Sequence, residues 1–131
     1  MEGIDHFAFE VADMDTAIAF YTEKLGLKLM FRKVDEEQGE EFALLELEGG
    51  NLELLRSLAP PAARAKPEPA SPWCPHLALV AEDMDELVAR AKESGIAILD
   101  GPLHAEGLAK WIYLSDPDGN IIEYIQWLDG R

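Results

Sequence analysis

Hydrophobic and polar positions alternate along several short stretches of the chain and follow helical spacing in two longer ones. Strict alternation is typical of a half-buried strand, whereas apolar residues at i, i+3, i+4 and i+7 indicate an amphipathic helix. Alternation predicts strands at residues 4–11, 28–34, 41–47, 51–56, 75–81, 96–100, 110–115 and 120–127. Helical spacing joins two sets of residues, which are Met14, Ala17, Ile18 and Tyr21, and then Met84, Leu87, Val88 and Ala91.

The second half of the chain repeats the first at an offset of 70 residues (76 − 6 = 70). The matching positions are His6 and His76, Ala8 and Ala78, and the Asp-Met-Asp triplets at 13–15 and 83–85. Asp13 and Asp83 suit helix N-caps, and Gly26 and Gly95 suit the residues after the helix ends. Each half is therefore predicted to be a βαβββ module.

Both modules are too short to bury a good core alone, so we expect one α+β domain spanning residues 1–131. Module one covers residues 1–57, a linker covers 58–73, and module two covers 74–131. The modules should share one continuous, eight-stranded mixed sheet with both helices outside. Residues 60–72 are too rich in proline for a helix or a central strand, which predicts an extended linker.

Two histidines and two glutamates occupy equivalent positions in the repeat. His6 and His76 lie on the strand face opposite the apolar residues. Glu53 and Glu123 stand inside apolar strands, where a carboxylate is costly unless it is paired. A pseudo-twofold axis would bring all four to one point, where they predict a site for one divalent metal ion. Two nitrogens and two oxygens suit Ni, Co, Zn, Mn or Fe(II); alternatively, the four residues are retained without metal.

Charge and cysteine content narrow the function classes. The chain has 26 acidic and 11 basic side chains, for a net charge of −15. This charge argues against nucleic-acid and membrane-surface partners and favours a cation. A single cysteine, Cys74, cannot form an internal disulfide. Together with the lack of a secretory signal pattern, this predicts a cytoplasmic protein.

Other polar and aromatic residues are secondary candidates. His104 is predicted to be an exposed loop residue, with a substrate contact as the alternative. Possible cavity walls, which could equally be core, are Trp73, Trp111, Tyr113 and Phe42. Three cations are predicted to be solvated charges at strand edges, with binding of an anionic substrate group as the alternative, and these are Arg32, Arg56 and Lys110.

Residues 4–11, 19–27 and 114–124 resemble the vicinal oxygen chelate superfamily, and the likeness covers nearly the whole chain. That group includes glyoxalase I, methylmalonyl-CoA epimerase, fosfomycin-resistance enzymes, extradiol dioxygenases and bleomycin-binding proteins. The resemblance implies that the sheet encloses a cavity. Four ligands, two per module, are similar to those of glyoxalase I and the epimerases. Glu53 favours glyoxalase I, because the epimerases usually have Gln there.

The resemblance implies a metal-dependent lyase or isomerase, similar to lactoylglutathione lyase, acting on a small molecule. It would move a proton on an α-hydroxy carbonyl (hemithioacetal-type) substrate through a metal-bound enediolate. Glu123 is the expected catalytic base and Glu53 its partner, although their roles could be exchanged. Glu10 and Ser57 replace an Arg and an Asn that bacterial glyoxalase I has, which predicts different thiol recognition. A homodimer is expected. The alternatives are a methylmalonyl-CoA epimerase-like enzyme and a non-catalytic, drug-sequestering binding protein.

Overall fold

A computed structural model gives the fold and describes residues 1–59, 66 and 68–130. Its two compact units correspond to the two modules. Module one runs β1 (His6–Glu10), α1 (Met14–Ala19), a π-helical segment (Phe20–Lys24), β2 (Lys28–Asp35), β3 (Glu40–Glu46) and β4 (Asn51–Ser57). Its four strands form one mixed sheet in the order β1-β4-β3-β2, in which only the β1–β4 pair is parallel.

Module two has the same order of elements. It runs β5 (Leu77–Val80), α2 (Met84–Glu93), β6 (Ala97–Ala105), β7 (Ala109–Ser115) and β8 (Ile121–Trp127). The sheet order is β5-β8-β7-β6, and β5 pairs with β8 in parallel. The predicted α+β class and tandem βαβββ modules are therefore confirmed.

The described strands form two four-stranded sheets, where one continuous sheet was expected. Each first strand pairs with the last strand of its own module, so each module completes a ladder by itself. One helix packs on each sheet, α1 on β3 and β4 and α2 on β6 and β8, so each sheet has its own apolar cover. In module one, the fully buried side chains include Met14, Tyr21, Leu45, Leu52 and Leu54.

The predicted helix ends are confirmed. The Asp13 carboxylate accepts a hydrogen bond from the Thr16 N–H at 2.9 Å, and Asp83 accepts one from the Glu86 N–H at 3.1 Å. Gly95 follows α2 with a φ of +70°, a left-handed conformation that glycine adopts at little cost. Gly26, with a φ of +77°, follows the π-helical segment that continues α1, so both helical stretches begin and end on local signals.

The prediction that His104 lies in a loop was wrong. Strand β6 continues to Ala105, so His104 lies in a strand, although it is exposed as expected. A bulge between Asp100 and Leu103 accommodates the Gly-Pro pair that suggested a loop. In the predicted linker, residues 60–65 and 67 lie outside the described part of the chain. The remainder ends in a turn, because the Trp73 N–H donates to the Ala70 carbonyl at 2.8 Å. None of the helices described has the length and apolar character to cross a bilayer.

Candidate metal centre

Parallel pairing of first and last strands brings each predicted histidine to its glutamate. In module one, Ala8 lies opposite Glu53 in the β1–β4 ladder, and His6 shares its face two residues earlier. The distance from His6 Nε2 to Glu53 Oε1 is 3.5 Å. In module two, Ala78 lies opposite Glu123, and the distance from His76 Nε2 to Glu123 Oε1 is 2.8 Å. Each module therefore contains one His–Glu pair.

Alternation along the last strands separates these carboxylates from the core. Leu52 and Leu54 flank Glu53 in sequence and are fully buried on the helix-covered face. Ile122 and Tyr124 flank Glu123 in the same way. Each glutamate therefore points away from the apolar core and toward its histidine, as the strand parity predicts.

The second ring nitrogen of each histidine has its own hydrogen-bond acceptor. His6 Nδ1 lies 2.7 Å from Asp5 Oδ2, and His76 Nδ1 lies 2.9 Å from the Trp73 carbonyl oxygen. Metal-binding histidines are usually held in this way, because a bond at one nitrogen directs the lone pair of the other. Nε2 is the nitrogen that faces the glutamate in both modules.

Oxygen acceptors therefore face both nitrogens of each imidazole. A neutral imidazole carries only one N–H, so the other nitrogen would place its lone pair against an oxygen lone pair. A proton or a shared cation relieves that repulsion. The pKa of His6 is accordingly raised, mainly by its hydrogen bond to Asp5 and then by the charge of Glu53. The electrostatics of the module one pair therefore favour a positive charge on His6.

The donor spacing suits ligands of one metal ion. Two atoms about 2.1 Å from one ion, at octahedral or tetrahedral angles, lie about 3.0–3.4 Å apart. The observed separations of 2.8 and 3.5 Å fall close to that interval. Among residues 1–59, 66 and 68–130, no three or more His, Cys, Asp or Glu side chains are grouped closely enough to hold a metal ion. Each His–Glu pair by itself therefore offers two donors.

Aromatic rings line the pair in module two. The Tyr113 ring lies 5.4 Å from the His76 ring and 6.1 Å from the Trp73 ring, and Tyr113 faces Glu123 in the β7–β8 ladder. Burial raises the pKa of Tyr113, and the charge of Glu123 adds to that effect. Trp111 is half-buried on β7. In module one, Phe42 packs against Phe31 with ring centroids 5.9 Å apart.

Two of the three cations that were expected to be solvated charges at strand edges form ion pairs, although Arg32 is exposed on the edge strand β2 as expected. Arg32 and Arg56 bind the buried carboxylate of Glu41 at 2.6 and 3.0 Å, and Arg32 also contacts Asp15. This pairing holds the pKa of Glu41 below its usual range, with Arg32 as the main cause. A signal was present in the sequence, since Glu41 occupies the same strand parity as the buried Ala43. Lys110 is half-buried on β7, where it pairs with Gln126.

Four further residues lie near the two pairs. Asp5 and Asp100 were not predicted as site residues, although Asp5 directly precedes His6. The Asp100 carboxylate accepts a hydrogen bond from the Trp73 indole at 3.1 Å. Glu10 is half-buried, and its carbonyl accepts from Lys66 at 2.8 Å. Ser57 ends β4, and its hydroxyl accepts from the Ala59 N–H at 3.3 Å.

Known proteins share this arrangement of modules. The chain is 32% identical to the metallothiol transferase FosB of Shouchella clausii, over 94% of this chain and 79% of that protein. It is 28% identical to a 2-epi-5-epi-valiolone epimerase of an Actinomyces species, over 93% and 78% of the two chains. Among solved structures, the trypanothione-dependent glyoxalase I of Leishmania major superimposes with a TM-score of 0.76. That match has 27% identity and covers 96% of this chain and 87% of that one.

The sequence profile of one family matches residues 3–124, which include most of both modules and all four predicted ligands. This family contains metal-dependent enzymes of several kinds. The chain belongs to the Glyoxalase/Bleomycin resistance protein/Dioxygenase superfamily, the vicinal oxygen chelate group.

Proposed function

We propose that this protein is a metal-dependent, glyoxalase I-like lyase or isomerase that moves a proton between adjacent carbons of an α-hydroxy carbonyl substrate. The observation that carries the proposal is the duplicated His–Glu pair, in which each histidine directs Nε2 toward its glutamate while Nδ1 has a separate acceptor. Such a pair occurs once in each module, as a shared four-ligand site requires.

His6, Glu53, His76 and Glu123 would hold one divalent transition metal ion, of the group Ni, Co, Zn, Mn and Fe(II). When bound, the ion supplies Lewis acidity, which polarises the substrate carbonyl and acidifies the neighbouring C–H bond. The chain's net charge of −15 favours retention of such a cation. Two imidazoles and two carboxylates leave room for substrate oxygens beside the protein ligands.

Glu123 is the proposed base. Its side chain is 11% exposed, so bulk water competes little for the proton that it carries. One carboxylate oxygen faces His76 Nε2, and a carboxylate has a second oxygen that can accept the proton from carbon and return it to the next carbon. Glu53, at 16% exposure, would remain a ligand during this transfer.

The surroundings constrain the substrate. Tyr113, Trp73 and Phe42 offer apolar surface, which suits a small carbonyl adduct. Glu10 places a carboxyl side chain where an arginine would attract a carboxylate of glutathione. Like charges repel, so we propose a substrate whose thiol part does not depend on an anion contact at this position.

The direct test loads purified protein with nickel, cobalt or zinc and supplies methylglyoxal with glutathione or with an uncharged thiol. We expect thioester formation, faster with the uncharged thiol, and we expect metal content to fall in His6→Ala and His76→Ala. His104→Ala is the matched control for metal content, since His104 is exposed on β6. Unchanged metal content in both ligand variants would remove the basis of the proposal.

An epimerase acting by the same proton transfer is the second candidate. The Actinomyces epimerase that matches 93% of this chain favours it. An epimerase returns the proton to the carbon it left, whereas a glyoxalase returns it to the neighbouring carbon. Reaction in deuterium oxide distinguishes the two, because the label appears at the original carbon only in the epimerase.

We also propose a homodimer, and the division of the donors between modules gives a sharp test. His6→Ala and His76→Ala each destroy one half of a four-ligand site. If the site forms between protomers, mixing and refolding the two variants restores one intact site per heterodimer, with its activity and metal. If the site forms within one chain, the mixture stays inactive, and light scattering alone reports the oligomeric state.

A further inference from the structure

Trp73 has an uncommon backbone conformation beside a proposed metal ligand. Its φ is +60°, and every other residue with positive φ in the described part of the chain is a glycine. Bulky residues are rare in this left-handed region, and they remain there only where the surroundings hold the backbone in place. The position therefore calls for contacts that fix it.

Three contacts hold Trp73. Its indole Nε1–H donates to Asp100 Oδ2 on β6 at 3.1 Å, and its N–H donates to the Ala70 carbonyl at 2.8 Å. Its ring lies 6.1 Å from the Tyr113 ring. The indole bond connects the turn before β5 to a strand on the opposite edge of the same sheet.

This conformation presents the Trp73 carbonyl to His76. The carbonyl oxygen lies 2.9 Å from His76 Nδ1, and as an acceptor only it requires the proton on that nitrogen. Tyr113 packs against the imidazole at an interplanar angle of 70°. Together these contacts fix the ring so that Nε2 faces Glu123 at 2.8 Å.

We propose that Trp73 is a positioning residue for His76, held in place by Asp100, and that it sets the metal affinity of the module two pair. This inference rests on the proposed function. Module one achieves the same result with the adjacent side chain of Asp5, and the residue 70 positions before Trp73 is Gly3. The orientation of His76 therefore depends on Asp100, a residue 24 positions later in the chain (100 − 76 = 24).

Without the hydrogen bond between the Trp73 indole and Asp100, the turn should become mobile. The Trp73 carbonyl, which is the acceptor for His76 Nδ1, should then no longer be held in place. Removing the partner of a metal-binding histidine typically weakens metal affinity about 10- to 100-fold. We therefore expect Trp73→Phe, which keeps a ring but loses the indole N–H, and Asp100→Ala to bind zinc at least about tenfold more weakly.

The experiment measures zinc affinity by competition with a chromophoric chelator, and the His76 Nδ1–H signal of the zinc-loaded protein by proton–nitrogen NMR. Asp100→Asn keeps an oxygen acceptor for the indole and should restore both the affinity and the sharp signal. Trp127→Phe removes an indole at the far end of β8 and serves as the matched control. If Trp73→Phe fails to fold, the comparison of Asp100→Asn with Asp100→Ala decides alone.

Equal zinc affinities and equal His76 signals in all variants would overturn the inference while leaving the proposed function intact. It would also be overturned if Asp100→Asn were as damaging as Asp100→Ala, because the carboxylate charge rather than the indole contact would then matter. Lack of zinc uptake by the unmodified protein would overturn the proposed function and this inference together.

Discussion

The His–Glu pair of module one lies in wetter surroundings than the pair of module two. The exposed fraction is 41% for the His6 side chain and 20% for His76, and it is 16% for Glu53 and 11% for Glu123. Opposite the glutamate, module one has Leu44, whereas module two has Tyr113. The two copies thus share their donors and differ in what surrounds them.

The hydrogen-bond acceptors of the two Nδ1 atoms differ in charge. Asp5 gives His6 a charged acceptor on a side chain that is 90% exposed, whereas Trp73 gives His76 a neutral carbonyl. A carboxylate raises the electron density of the imidazole more than a carbonyl does. Module one therefore orients its histidine through a neighbouring charge, and module two orients its histidine through the carbonyl of a turn.

The largest expected effect separates the two glutamates. Glu123→Gln should lower kcat by about 10²–10⁴-fold, because an amide cannot accept the proton from carbon. Glu53→Gln should act mainly through metal affinity, and at saturating metal it should retain far more turnover. Steady-state kinetics at several metal concentrations measure both. A larger loss of kcat in Glu53→Gln would mean that Glu53, and not Glu123, is the base.

The turns before β4 and β8 should also differ in strength. The buried Asp116 carboxylate accepts from the Asp118 and Asn120 N–H groups at 2.9 and 2.8 Å, and from the Asn120 amide. Asp116→Ala leaves these donors without that acceptor and should cost about 2–3 kcal/mol of unfolding free energy. Asn51→Ala, which removes one bond of 3.3 Å to the Leu47 N–H, should cost less than about 1 kcal/mol by the same measure. Urea denaturation measures the unfolding free energy of both variants. Equal losses in Asp116→Ala and Asn51→Ala would contradict the expected difference between the two turns.

Among the residues that the structure describes, the charged cluster of Glu41, Arg32 and Arg56 has no counterpart in module two. At the corresponding positions, module two has Lys110 and Gln126, and Gln126 accepts instead from the Met84 N–H at 2.9 Å. Glu41→Gln should cost about 1–2 kcal/mol at neutral pH, since both arginines are partly exposed and can turn to water.

The same cluster gives module one an acid dependence. The folded-state pKa of Glu41 lies below its ordinary value of 4.5, so the unfolded chain binds the proton more readily. The stabilisation that ionised Glu41 contributes is complete at pH values above its ordinary pKa. It disappears as the pH falls through the folded-state pKa of Glu41. Denaturation of Glu41→Gln over the same acidic range should show a shallower decline, and parallel curves for the two proteins would argue against it.

The smallest effect concerns Asp5. Asp5→Ala should weaken metal affinity by about tenfold or less, the low end for such partners, because this carboxylate is exposed and screened by water. Asp5→Asn keeps an oxygen acceptor, so its metal affinity should lie between those of Asp5→Ala and the unmodified protein. Chelator competition at low and high salt measures the difference, which should shrink with added salt.

The features that could be predicted from the sequence are those that occur in both halves of the repeat. His6, Glu53 and their partners 70 residues later were predicted because one offset links four residue types that are each ambiguous alone. Strand alternation then gave the correct face for each. The helix caps were predictable for a similar reason, since an N-cap aspartate acts on an N–H only three residues away.

Features that depend on distant pairing were not predictable. Asp100 reaches Trp73 only because a bulge in β6 sets its register, and no local pattern records that bulge. Arg32 and Arg56 come from two different strands to meet Glu41, so their pairing follows from the ladder rather than from either residue. The division into two sheets likewise depends on where the strand pairing ends.

The order of strands couples ligand binding to the completion of folding. In each module the histidine lies at the first strand and the glutamate on the last, so the pair forms only when His6 registers with Asn51, or Leu77 with Ile122, across the whole module. Pairings this distant in sequence must overcome a large loss of chain entropy, which slows their formation. A cation bound by such a pair binds only the finished ladder, and its binding free energy is added to the stability of every strand between the two ends.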